Sequence, residues 1–116
     1  MLLASGEAFT AMFASSDISA MGAIRALRES GVGVPEDVSV VGFDDIQSAA
    51  FQNPGLTTVR QPLREMGRAA AEILVKRINR PGSELHDTHT LEPELVIRET
   101  TGPAPAGRRD PAKAKP

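Results

Sequence analysis

From Ala8 to Ala14 the chain reads AFTAMFA, a short apolar run suited to a buried strand, and the polar triplet Ser15, Ser16 and Asp17 follows at once. Ser16 or Asp17 can accept a hydrogen bond from the first free backbone amides of a helix. Apolar residues then recur at Ile18, Met21, Ile24 and Leu27, a helical spacing, with Arg25 and Arg28 towards its end and Gly31 as the residue just beyond. A turn containing Pro35 leads to an unbroken apolar stretch from Val38 to Phe43, as expected of a strand covered on both faces. Strand, helix and strand of these lengths form a parallel crossover unit.

The stretch SVVGFDDIQ, Ser39 to Gln47, stops abruptly on two carboxylates, Asp44 and Asp45, with no lysine or arginine beside them. A short helical turn is expected next, closed by Asn53, Pro54 and Gly55, and then a β-prone segment from Thr57 to Gln61. Pro62 suits the first turn of a helix carrying Leu63, Met66, Gly67, Ala70, Ile73, Leu74 and Ile78 along one face as far as Asn79. Beyond a polar loop, Leu91, Leu95 and Ile97 alternate with charged residues, which predicts a last strand near an edge, interrupted by Pro93.

This alternation predicts an α/β protein with an open parallel sheet and flanking helices. With 116 residues there is one modest core at most, and 24% charged residues fit a chain without a membrane span. The first residues show no export signal, so the chain is expected to be cytoplasmic. Lack of cysteine removes disulfides, thiolate catalysis and cysteine-based zinc sites, and the absence of tryptophan and tyrosine argues against base-stacking surfaces. The net charge of −2 is uneven: the tail from 102 to 116 carries +3, leaving −5 for residues 1–101. An acidic folded part repels phosphate backbones, and the tail, rich in proline and alanine, is expected to be disordered.

In open parallel sheets the ligand crevice lies outside the carboxyl ends of the strands, where both ASSD and GFDD fall. Asp44 is there to accept two hydrogen bonds from a polyol or an amine, and Asp45 is a candidate cap for the turn that follows. No nucleophile and base pair up and no glycine-rich loop opens a helix, so no catalytic residue and no cofactor is expected. A phosphoacceptor site built from paired acids needs a lysine nearby, and the lysines are Lys76, inside the predicted helix, and Lys113 and Lys115 in the tail. His86 and His89 in a polar loop lack a further ligand cluster, so no metal is expected either.

Taken in order, the strand ending in an acidic helix cap, VPEDVSVVGFDD and LTTVRQP, with the later ELVIRET, resemble the C-terminal part of the lactose-repressor/galactose-repressor family of bacterial transcription regulators over Phe9 to about Thr101. The resemblance implies a periplasmic-binding-protein-like fold of type I, two α/β lobes around an effector cleft, with operator DNA bound as a dimer through an N-terminal helix-turn-helix headpiece. By that match residues 1–101 are a C-terminal fragment of the effector-binding domain, without headpiece or N-terminal lobe. TTVRQP is a crossover between lobes, the helix from Pro62 belongs to the missing lobe, and an unpartnered sheet edge is left open to self-association. The implied effector is small, polar and sugar-like, held by Asp44 and by Ser16, where relatives commonly carry asparagine. Asp17 is the helix cap near the cleft and Leu63 stands where relatives place an aromatic. Met21, Arg25, Ser48 and Phe51 match the family's dimer interface. A transport-associated sugar-binding protein of the same fold is the second reading.

Overall fold

A computed structural model describes residues 7–80, 82 and 88–106. The chain forms β1 (Ala11–Phe13), α1 (Asp17–Glu29), β2 (Ser39–Asp44), α2 (Gln47–Phe51), β3 (Thr57–Arg60), α3 (Leu63–Asn79) and β4 (Glu94–Val96). One sheet runs in the order β1-β2-β3-β4. The first three strands are parallel, and β4 returns antiparallel to β3, so the open sheet is mixed at one edge.

The helix α1 starts where its capping chemistry requires. Ser16 is extended and its hydroxyl accepts from the Ser19 amide at 3.2 Å, while Gly31, at φ 76°, takes the left-handed turn beyond the last residues. Its buried face is Asp17, Ala20, Ile24 and Leu27. The expected stripe of Ile18, Met21, Ile24 and Leu27 is therefore rotated at its start, and Ile18 is exposed. Asp17 has taken the inward position that an apolar residue would fill, which periodicity in apolar residues alone does not register.

Ile24 and Leu27 pack with Val34, Val38, Val40, Ala49 and Leu56 into the core between α1 and the sheet. Fully burying side chains of this size stabilises by roughly 1.5–3 kcal/mol each. Along β2 the inner positions Val40 and Gly42 are closed, whereas Val41 and Phe43 are only half-buried. The strand is thus covered fully on one face, not on both as its apolar run suggested. Helix α3 buries none of its residues, and Leu63, Leu74, Val75 and Ile78 are each more than half exposed.

After β4 the chain seals the sheet at the end away from Asp44. The Thr100 hydroxyl donates to the Val40 carbonyl at 2.7 Å and accepts from the Thr57 amide at 2.9 Å, and the Thr100 carbonyl accepts from the Val40 amide at 2.8 Å. Thr100 is fully buried, and each of its polar groups has a partner, as a buried polar wedge needs.

Candidate functional site

Strands β1 and β2 pair in register from Ala11 with Ser39 to Phe13 with Val41, so Ser16 and Asp44 each lie three residues past the last pair at the same end of the sheet. Phe13 and Phe43 meet edge to face just below, with ring centroids 6.4 Å apart. They form an aromatic shelf between the two tips.

The turn after β2 is the most constrained piece of backbone. Asp44 has φ 117° and Asp45 φ 55°, conformations that residues with a Cβ rarely adopt. Gln61 Nε2 donates to Oδ1 of the half-buried Asp44 carboxylate at 2.6 Å. Beside it opens a cleft of about 400 Å³ whose walls include Phe43, Gln61, Pro62, Met66, His89 and Leu91. A polar ligand entering there meets Gln61 next to the Asp44 carboxylate and apolar surface from Phe43, Pro62 and Met66.

Asp45 does not cap the following turn. Helix α2 begins at Ile46 without a side-chain cap, and the Asp45 side chain points the other way. Its Oδ2 accepts from Arg60 Nε at 2.6 Å and its Oδ1 from Arg98 Nη2 at 2.7 Å. Burial pushes the carboxyl up, but the hydrogen bonds and charges of Arg60 and Arg98 outweigh that and hold it below the usual carboxylate range. Arg60 in turn is raised, first by the hydrogen bond to Asp45 and also by its charge. Of the two adjacent carboxylates, Asp45 is neutralised, by arginines 15 and 53 residues further along the chain, while Asp44 is met by the uncharged Gln61 amide.

Asp17 is fully buried, and both its oxygens are used inside the protein. Thr58 donates its hydroxyl to Oδ1 and the Ile46 amide donates to Oδ2 at 2.8 Å. Ser16 keeps its hydroxyl within the helix start, donating to the Ser19 hydroxyl at 3.0 Å. Leu63 is exposed at the first turn of α3, and the cleft wall is made by Met66 one turn on.

The residues on the page can be set beside known proteins. A family description, "Periplasmic binding protein-like domain", matches residues 2–101. The chain belongs to the periplasmic binding protein-like domain family. Among curated relatives, the HTH-type transcriptional regulator MalR of Streptomyces coelicolor is 47% identical over 106 residues, 91% of this chain and 30% of MalR. The structure of the lac repressor dimer bound to operator and the anti-inducer ONPF matches 86% of this chain and 34% of its own, with TM-score 0.77 and 37% identity. A LacI family regulator from Enterococcus faecium with bound ribose matches 90% of this chain and 38% of its own, with TM-score 0.74 and 36% identity. This periplasmic binding protein-like domain is therefore an effector-binding region of the lactose-repressor/galactose-repressor type, and it spans about a third of the length of the relatives it matches. The transport reading is not favoured, because these relatives are regulators.

Four further positions lie on the two shorter helices, three of them exposed. Met21 is half-buried against the core, Arg25 pairs with Glu29 at 2.8 Å in solvent, Ser48 is exposed, and Phe51 is 80% exposed on α2. His86 lies outside the described residues, and His89 borders the cleft. Among the described residues no three His, Cys, Asp or Glu side chains come together as metal ligands. Sequence reasoning passed over Arg60, Gln61 and Arg98, whose importance depends on strand register, with Asp44 facing Arg60 and Arg60 facing Glu94.

Proposed function

We propose that this chain is the effector-sensing portion of a bacterial transcription regulator and that it takes a small polar, sugar-like molecule at the carboxyl ends of β1 and β2. The observation that carries the reading is Asp44, half-buried on a turn of positive φ and held by Gln61, which with Phe43 lines a cleft of about 400 Å³. Its carboxylate is suited to accept hydrogen bonds from ligand hydroxyls. Ser16 stands at the neighbouring tip as a second polar group. Asp17 acts there by holding the turn, and Leu63 offers aliphatic rather than aromatic surface beside Pro62 of the cleft wall.

In this reading the protein is not an enzyme and needs no cofactor. Ligand favours one arrangement of the regulator, and operator DNA is bound through a helix-turn-helix headpiece elsewhere in it. The regulator works as a homodimer in the cytoplasm, with Met21, Arg25, Ser48 and Phe51 at the subunit interface. No helix among the described residues is long and apolar enough to cross a membrane. In a regulator containing this region, Asp44→Ala abolishes the response to effector while operator binding persists. An effector titration of operator release that is unchanged by the substitution overturns the assignment.

A further inference from the structure

We infer that Asp45 is a positioning residue that sets the Asp44 carboxylate towards Gln61 in the cleft wall, an inference that rests on the reading of Asp44 as the effector ligand. Two successive non-glycine residues at positive φ persist only where the surroundings over-determine them. Here the turn is pinned at three places. Before it, Asp44 pairs with Arg60 in the β2–β3 ladder. After it, the Ile46 amide is fixed at 2.8 Å on the buried Asp17 carboxylate. Between these, the Asp45 carboxylate is gripped from two sides by Arg60 and Arg98 at 2.6 and 2.7 Å.

The two arginines are themselves fixed. Arg98 is mostly buried, its Nη1 donates to the Leu56 carbonyl at 2.8 Å and its amide to the Thr57 hydroxyl at 2.9 Å. Arg60 reaches across to Glu94 at 3.1 Å. Asp45 is therefore drawn inwards to a rigid anchor on β3 and on the segment after β4. With consecutive side chains directed apart, Asp44 is left outward, where Gln61 meets it. Without the fork, relaxation of Asp44 to ordinary extended backbone would turn its carboxylate away from Gln61 and the cleft.

Nuclear magnetic resonance on the whole chain tests this without a ligand. A residue at φ 117° gives a small three-bond coupling between amide and α protons, and extended backbone gives a large one. In Asp45→Asn, and to a lesser degree in Arg98→Lys, which keeps the charge but not the fork, the Asp44 coupling is expected to rise towards the extended value. Ile24→Val, a destabilising change in the core away from the turn, leaves it alone, which separates positioning from general loss of stability. A folded Asp45→Asn with the wild-type coupling overturns the inference. Should that variant not fold, an unchanged coupling in Arg98→Lys does the same. Titration with ribose and with maltose, in wild type and in Asp44→Asn, examines the functional reading separately: saccharide shifts that survive Asp44→Asn remove Asp44 as the ligand, whatever the coupling shows of the turn.

Discussion

A methyl group added at Gly42 would land on the Asp17 carboxylate and within 3.0 Å of Leu56 Cδ2. The glycine in GFDD is thus explained by the acid in ASSD, and the two stretches that bracket the cleft are one interlocked unit. Asp17 accepts from a hydroxyl and an amide, so an asparagine there, with its oxygen on the Ile46 amide, would turn its NH2 to the Thr58 hydroxyl, which could accept but would lose the acceptor for its own proton. Leaving one buried partner unsatisfied costs about 1–3 kcal/mol. Asp17→Asn is therefore expected to lower the unfolding free energy by roughly that amount, and Gly42→Ala to do at least as much through overpacking, about 1–3 kcal/mol. Urea titrations followed by circular dichroism check both. A Gly42→Ala protein as stable as wild type would mean that Asp17 is free to move aside. The tips themselves were legible in the residue pattern, with Ser16 as cap and Asp44 at the strand end. The role of Asp17 was not, because an acid that opens a helix reads as solvated until its partner at position 58 is known.

Strands β2, β3 and β4 are tied at one end by a single carboxylate, since Asp45 joins Arg60 on β3 to Arg98 just beyond β4, and Arg60 continues to Glu94 on β4. The Asp45 side chain is only 7% exposed, so its link to the 18% exposed Arg98 is screened far less than the surface pairs Arg25–Glu29 and Arg68–Glu72. Because the folded state holds Asp45 below the usual carboxylate range, the unfolded chain binds more protons in acid. The stability it contributes is complete above the unfolded value of about 3.9 and is lost as pH falls through the lower folded value. Denaturation midpoints should show no loss from Asp45 between about pH 6 and about pH 5 and should fall below about pH 4, and Asp45→Asn should flatten that acid limb. An acid limb of the same steepness in the variant would show that other groups produce it. At this scale the order strand, helix, strand, turn, strand, helix, strand could be read from spacing and punctuation, since Ser16, Gly31 and Pro62 mark boundaries locally. The brace could not, because it joins residues up to 53 positions apart and depends on pairing that no local pattern specifies.

Across the whole molecule, apolar surface is distributed in a way that one layer of helix on a sheet cannot hide. Phe51 is 80% exposed, Ile97 73%, Ile78 67% and Leu63 60%, and α3 carries no buried residue at all. Covering what remains open on such a side chain stabilises by about 1–1.5 kcal/mol, roughly half the value for full burial. Leu63, Met66, Leu74, Val75 and Ile78 would therefore contribute about 5–8 kcal/mol from each of two copies, about 10–16 kcal/mol together, comparable with the upper part of the range of about 4–15 kcal/mol that association itself costs. Near-balance of that kind predicts self-association that is reversible and rises with concentration, not a permanent assembly. Size-exclusion chromatography with light scattering should give a mass above the 12.3 kDa of one chain as concentration is raised. Leu74→Lys with Ile78→Lys should reduce that mass while changing stability by no more than about 0.5 kcal/mol, because neither side chain is buried. Phe51→Lys makes the complementary test on α2: if it alone dissociates the assembly, the contact lies on the α1 and α2 side that carries Met21 and Arg25, and α3 is covered by something other than a second copy. A protein strictly monomeric at every concentration would show that five exposed apolar side chains on one helix do not offset the loss of rigid-body freedom.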